Sequence, residues 1–386
     1  MTELDDRLRK LQGLAREWCA ELRPHSLAAD RDPDRAVELA HLPALGRLAT
    51  LQVPPEYNPD PLRISGHVYY LTSTLEKVVF LEEGAWGDLG LMLSSPGAPM
   101  ASVLVDELGD PGQKEWFYGQ VLAEPTWTFF ALTEPAHGSD AAAMSTTITR
   151  ISPEEPWRLT GAKRYVGNAA RARLGAVFAR TGKGPLGVSA VLVDTDAPGF
   201  TAEPIETLGL RAAQLGAITL DSVEVAPERL LGRHLPASRR GMAGWLRTFN
   251  RLRPVVASMG VGLARAAHEY TLANRRRFSA EEQSRVEAVA RRIESVRRLT
   301  RRAAAAVDAD PGAGELANIA KLRAARLAED VTLGALDFFG PAARVRHPVL
   351  EKLARDARGI EFMEGTGNIQ RLSIFNRIAK GRHIND

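Results

Sequence analysis

A single cysteine, Cys19, stands in 386 residues, so no disulfide closes within the chain and no cysteine-based metal cluster forms. Charge of either sign is scarcely in excess. Lys and Arg number 50 against 47 Asp and Glu, and a net +3 is too small for wholesale nucleic-acid binding; no nucleic-acid partner is expected. No stretch approaches ~18 uninterrupted apolar residues, so no membrane span is expected. The opening MTELDDRLRK lacks the apolar core of a signal peptide, and the expectation is a soluble, cytoplasmic protein. No G-x-G-x-x-G leads from a strand into a helix, and neither a Walker loop nor a G-x-S-x-G elbow is present. The eight histidines form no H-E-x-x-H pair or other metal spacing, so no metal site is expected.

What is present divides the chain into three textures, in keeping with about 150 residues per domain. Residues 1–125 read as helix, with Leu4, Leu8, Leu11, Leu14 and Trp18 at three- to four-residue intervals. Residues 126–235 turn to short β-rich runs, among them TWTFFALT, TTITRI, WRLTGAKRYV, GAVFART, VSAVLVDT and AITLDSVEV. Six or more strands with no long helix between them predict a small antiparallel barrel or sandwich. From 236 to 386 the helical period returns. There Val286, Val289, Ile293, Val296 and Ala303 share one face, and Arg291, Arg292, Arg297, Arg298, Arg301 and Arg302 crowd elsewhere. Pro254 lacks the N–H that a preceding turn needs and is expected to kink or begin a helix. The fold class is α+β.

Three features invite a chemical reading, and each also has a plain one. ALTEPAHGSD, Ala131 to Asp140, leaves a strand through Pro135 and Gly138. It either offers backbone N–H groups to a flavin ring or phosphate, or is a strand-exit turn capped by Ser139 and Asp140. MEGTGNIQR, Met363 to Arg371, places Glu364 before a Gly-Thr pair. Glu364 is either a helix-start charge worth ~0.3–1 kcal/mol or a general base. Thr271 to Arg302 carries ten arginines and four glutamates, a local excess of +6. That stripe is either a solvated helix face or a surface for an anionic partner, such as coenzyme A phosphates or an acidic carrier protein.

Taken in order, these stretches resemble the acyl-CoA dehydrogenase family over nearly the whole chain. TFFALTEPAHGSDAAAMSTT is similar to that family's flavin-contacting signature, and LTGAKRYVGNAARA to the strand pair that follows it. FNRLRPVVASMGVGLARAAHEYTLANRRRF resembles its long helix, and LEKLARDARGIEFMEGTGNIQRL its C-terminal active-site signature. The resemblance implies an N-terminal helical domain, a middle β-barrel and a C-terminal four-helix bundle, with FAD held between barrel and bundle. It also implies a homodimer or homotetramer, an acyl-thioester substrate and a separate electron-accepting flavoprotein.

Residue roles follow from the same resemblance. Glu364 matches the catalytic base, which takes the α-proton of the thioester while a β-hydrogen leaves as hydride. Burial of that carboxylate is expected to raise its pKa toward neutrality. Phe130, Leu132, Thr133, Gly138, Ser139, Tyr165 and Gly167 fall at flavin-contacting positions. Arg275, Phe278, Asp337 and Gly340 fall at the adenine side, reached across the dimer, and Thr366 and Asn368 beside the flavin. Ser139, Asn250, Arg253 and Gly365 fall along the substrate.

The chain departs from the family pattern at several of these places. Asp337 stands for the common Gln and Pro341 for a glycine; Gly167 stands for Thr, Asn250 for Asp, Met363 for Tyr, Gly367 for Ser, and Ser279 for the usual glycine. Those near the substrate, with the basic stripe, favour a second reading in which the acyl or hydroxyacyl group, such as glyceryl on the way to methoxymalonyl units, is borne by an acyl carrier protein. A flavin monooxygenase on the same fold is a further alternative, against which Glu364 speaks. A scaffold without catalysis has no need of a placed base.

Overall fold

A computed structural model of the chain describes residues 4–150, 152, 155–184, 187–236 and 239–379. The Asp5 carboxylate starts the first helix by accepting from the Leu8 N–H at 2.7 Å, and Leu8, Leu11, Ala15 and Cys19 bury one face of it. That helix, α1 (Asp6–Ala20), leads through α2 (Ser26–Arg31), α3 (Arg35–Glu38) and α4 (Pro43–Gly46) to a small hairpin of β1 (Leu62–Ile64) and β2 (His67–Tyr69). Helices α5 (Thr74–Leu93), α6 (Ala101–Leu108) and α7 (Pro111–Ala123) complete the region. A capping box between Asp110 and Gln113, with Pro111 in the first turn, fixes where α7 begins.

Seven strands then form one curled sheet: β3 (Thr128–Ala131), β4 (Thr147–Thr149), β5 (Trp157–Gly167), β6 (Leu174–Arg180), β7 (Val188–Asp194), β8 (Phe200–Pro204) and β9 (Leu215–Val225). The sheet is mixed and not antiparallel throughout. β3 runs parallel to β6 over Leu174 to Val177, and β4 meets the same strand, also in parallel, at Arg180. The chain leaves the edge of β6 after Ala131 and rejoins it at Thr147, so the intervening loop is an excursion between two strands that share one edge. Remaining pairs are antiparallel.

The last region is helical: α8 (Met242–Asn274), α9 (Ala280–Ala309), α10 (Glu315–Asp337), α11 (Ala343–Arg346), α12 (Pro348–Phe362) and α13 (Gly367–Ala379). Helix α8 runs through Pro254, so the expected start at that residue is corrected. The interior proline costs about 3 kcal/mol, and the unbroken burial of Leu252 to Ala267 against α5 and α10 holds the helix through it.

The arginine stripe is also corrected in part. Arg297 and Arg301 enter the protein to meet Glu82 on α5, with only 16% and 12% of their side chains exposed. Arg275, Arg285, Arg291, Arg292 and Arg298 pair with acidic residues as well. Three carboxylates from outside the stripe, Glu82, Asp330 and Asp337, therefore offset half of the local excess of +6, and the other pairs fall on the stripe's own glutamates.

One buried network bears directly on the site. Lys352 on α12 lies 2.7 Å from both Asp88 of α5 and Asp356, and Arg355 lies 2.7 Å from Asp30 of α2. These pairs fix α12, whose last residue precedes Glu364 by two positions.

Candidate active site

Between α12 and α13 the chain makes a turn at Met363 to Thr366. Glu364 adopts φ 54° and Gly365 φ 95°, two successive left-handed residues, of which only the glycine does so without steric penalty. Donors from three helices converge on this turn. Arg253 Nε of α8 donates to the Glu364 carbonyl at 3.4 Å, and Gln370 of α13 donates to the Glu364 and Gly365 carbonyls at 3.0 and 3.1 Å. Lys321 of α10 donates to the Glu361 and Gly365 carbonyls at 2.7 and 2.6 Å.

Every one of those bonds ends on the backbone, leaving the Glu364 carboxylate free. Its Oε2 is buried with no hydrogen-bond partner, although other atoms of the residue reach the surface. Burial pushes its pKa up to about 7, against the pull of Arg253 and then Lys321. Arg253 is itself lowered to about 10 by burial and donates to Asn250 Oδ1 at 2.9 Å. Asn250 in turn donates to the Pro311 carbonyl at 3.0 Å. Thr366 accepts from the Ile369 N–H at 3.4 Å, and exposed Asn368 accepts from Arg371 at 2.9 Å.

The second cluster is the excursion from β6. Glu134 pins its base: the carboxylate accepts from Ser145 N and Oγ and from Thr146 N at 2.6 to 2.8 Å. It also pairs with fully buried Lys163 at 2.9 Å. Burial alone would raise the Glu134 pKa, but the Ser145 and Thr146 bonds and Lys163 overcome it and hold the pKa at about 2. Lys163 further donates to the Leu132 carbonyl at 3.1 Å, while the Leu132 side chain sits in the core with Phe178. The Thr133 carbonyl accepts from Arg164 N at 2.9 Å. At the next residue β5 bulges, and Tyr165 takes φ 61° with 58% of it exposed.

Contacts join the two clusters. The Phe130 ring lies 6.0 Å from that of Phe249, and Arg253 lies 5.8 Å from the Phe249 ring, so β3 and the Glu364 turn meet across α8. The third predicted group stays apart. Arg275 caps the far end of α8, roughly 33 Å from Arg253 at 1.5 Å per residue. It donates to the Phe338 carbonyl and pairs with Glu282. Phe278 stands edge-on to Phe338 at 5.9 Å, Gly340 turns the chain with φ 76°, and Asp337 is exposed with Arg285 at 3.8 Å. A cavity of about 250 Å³ opens beside them, lined by His268, Arg285 and Phe338.

Two family descriptions match this chain: "Acyl-CoA dehydrogenase, middle domain" at residues 129–223 and "Acyl-CoA dehydrogenase, C-terminal domain" at residues 239–379. A probable acyl-CoA dehydrogenase of Bacillus subtilis (strain 168) is 31% identical over 309 residues, 77% of this chain and 80% of that protein. The chain belongs to the acyl-CoA dehydrogenase family. The fold is that of the family: butyryl-CoA dehydrogenase from Megasphaera elsdenii superposes with a TM-score of 0.84 at 23% identity, covering 98% of this chain and 99% of that one. The prolyl acyl carrier protein oxidase AnaB superposes with a TM-score of 0.81 at 20% identity, covering 97% and 100%.

FAD is the cofactor of this family, and the residues here fit it. Gly138 and Ser139 are exposed and their N–H groups find no acceptor among the described residues. Tyr165 is an exposed aromatic residue on the neighbouring strand β5. A Cβ built on Gly167 would come no nearer than 3.9 Å to a neighbour, Leu215, so the end of β5 is open to an approaching ring. Among the described residues no cluster of His, Cys, Asp or Glu has the makings of a metal site. Nor is any described helix long and apolar enough to cross a membrane.

Four residues of the site escape a reading by motif. Glu134 lies within the quoted turn but works beneath it, and Lys163 is its partner on β5. Lys321 had a signal: it falls on the apolar face of α10 with Ala317, Ala320 and Ala324. Gln370 had none.

Proposed function

We propose that this protein is an FAD-dependent acyl-thioester dehydrogenase in which Glu364 removes the α-proton. The observation that carries this reading is the buried, unpartnered Glu364 carboxylate with a pKa near 7, on a turn whose backbone is held by three helices. A base with a pKa close to the working pH is ionised often enough to act and basic enough to take the proton. The Glu364 N–H makes no hydrogen bond among the described residues and is available to the thioester carbonyl, where negative charge develops. Arg253 and Lys321 keep cations close to the carboxylate without neutralising it. As the α-proton passes to Glu364, the β-hydrogen departs as hydride and a trans-2-enoyl thioester results; bound FAD supplies the two-electron acceptor. A separate flavoprotein removes the electrons.

Thr133, Gly138, Ser139, Tyr165 and Gly167, with Phe130 and Leu132, would hold the flavin. Asn250, Arg253 and Gly365 flank the acyl group. Arg275 at the far end of α8, with Phe278, Asp337 and Gly340 grouped near it, lies too far from the Glu364 turn to serve the same flavin within one chain. Their separation supports a homodimer or homotetramer in which they reach the neighbour's adenine. The three units span 1–125, 126–235 and 236–386, and the protein works in the cytoplasm.

Two thioester carriers fit. Coenzyme A is the first, in line with the curated relative. An acyl carrier protein is the second, favoured by the likeness of fold to a carrier-protein oxidase and by Asn250, Met363 and Gly367 beside the base. Anaerobic bleaching of the flavin tests both: the purified yellow protein is mixed with short acyl-CoAs and with the same acyl groups, and glyceryl, on an acidic carrier protein. Bleaching by either class that is lost in Glu364→Gln, with FAD retained, is the expected result. Undiminished bleaching in that variant overturns the assignment of the base, and oxygen-dependent hydroxylation instead of bleaching supports a monooxygenase.

A further inference from the structure

Lys321 is fully buried, yet it makes no ion pair among the described residues, unlike Lys163 and Lys352. Lys163 takes Glu134 and Lys352 takes Asp88 and Asp356, as a buried ammonium ordinarily requires. Lys321 takes only carbonyl oxygens, those of Glu361 at 2.7 Å and Gly365 at 2.6 Å. One lies three residues before Glu364 and the other one residue after it.

We infer that Lys321 is a positioning residue for the base: its ammonium ties the end of α12 to the far side of the turn and holds Glu364 in its left-handed conformation. The inference rests on the reading of Glu364 as the base. A glutamate at φ 54° has no intrinsic preference for that geometry, and the constraint has to come from outside the residue. The Lys321 bonds are the shortest of those reaching the turn, and they enter from α10, which also packs on α8, α12 and α13. One side chain therefore registers the turn against the helices that surround it. The same unpaired charge faces the carboxylate, favouring its ionised form. The plainer role is a cation capping the last carbonyls of α12, which would add stability and leave the chemistry alone.

Lys321→Met, similar in length and uncharged, separates the two roles in the FAD-loaded protein. With the turn loosened, the rate of anaerobic flavin reduction is expected to fall about 10- to 100-fold, while half-saturation by substrate changes far less. The Glu364 carboxyl, followed by difference infrared titration with Glu364→Gln as the blank, is expected to titrate at higher pH than in the wild type. A reduction rate within about twofold of wild type with an unmoved carboxyl titration overturns the inference and leaves only the cap. Should Lys321→Met fail to fold, Lys321→Gln, which keeps two donors and loses the charge, is judged by the same two readings. Turnover in Glu364→Gln would sink the base assignment itself. An inactive Glu364→Gln beside an unaffected Lys321 variant would sink Lys321 alone.

Discussion

Arg253 donates to the carbonyl of Glu364 at 3.4 Å and leaves its carboxylate unbonded. This buried cation thus positions the residue without forming the ion pair that would hold a carboxylate in its ordinary range. Burial dominates the balance, and the pKa rises to about 7.

Activity follows from that value. If, as proposed, the ionised form of Glu364 is the base, kcat/KM is expected to rise with pH through about 7 and then level. Initial rates with a cognate thioester between pH 5 and 9 check it. A profile whose ascending limb lies in the ordinary carboxylate range would show that Glu364 is not buried in the working protein.

Stability carries the opposite slope from the same group. The folded pKa of Glu364 lies above the ordinary glutamate value of 4.5, so its contribution is fully present below that value and lost as pH rises through about 7. Above neutrality the buried anion costs the fold on the order of 1–3 kcal/mol. Glu364→Gln is therefore expected to melt higher than the wild type at pH 8 and nearly alike at pH 4.5. Thermal unfolding of the two holoproteins at both pH values measures the difference.

Glu364 and the Ala131 to Asp140 turn were legible as candidates because each is a contiguous string of residue types that suit the proposed chemistry. The residues that hold them in place were not. Lys321 reaches Gly365 across 44 positions and Lys163 reaches Glu134 across 29, and no local pattern reports a contact of that range. The spacing of Leu8 and Leu11 gave a buried helix face that the structure shows, while Leu4 is buried just ahead of the helix. The parallel pairing of β3 and β4 on β6 was hidden, because alternation reports which face a residue occupies and nothing of a neighbour's direction. Strand β8 was missed because FTAEP holds proline and glutamate, poor strand formers that an edge position tolerates.

Loss of Glu134 is expected to act on the flavin turn before it acts on the base. Glu134→Gln leaves Lys163 buried and unpaired, at a cost of roughly 3–5 kcal/mol, and weakens the bonds to Ser145 and Thr146 that close the loop. The variant should purify with less FAD and a lower melting temperature. Since Glu134 titrates at about 2, the stability it contributes is present above the ordinary carboxylate range and fades as pH falls toward that value. Glu134→Leu with Lys163→Met should recover part of the stability, because no buried charge is then left alone. Absorbance at the flavin band and thermal melts of the wild type and the two variants test the chain of reasoning, and full FAD content in Glu134→Gln would break it.

Gly365 offers the narrowest test of the turn. Its φ of 95° disfavours any side chain, and a Cβ there would lie 3.0 Å from Gln370 Nε2, the atom that bonds the Glu364 and Gly365 carbonyls. Gly365→Ala is therefore expected to cost about 1–2 kcal/mol in stability from the backbone conformation alone. It should also loosen the Gln370 bonds and shift Glu364 away from the α-carbon. A displaced base lowers kcat while leaving binding groups elsewhere in place, so kcat should fall by about tenfold or more with a smaller change in KM. Steady-state kinetics normalised to the bound flavin of the folded fraction, beside a thermal melt, distinguish this from general damage, which would lower the amount of active protein and leave kcat per active site unchanged.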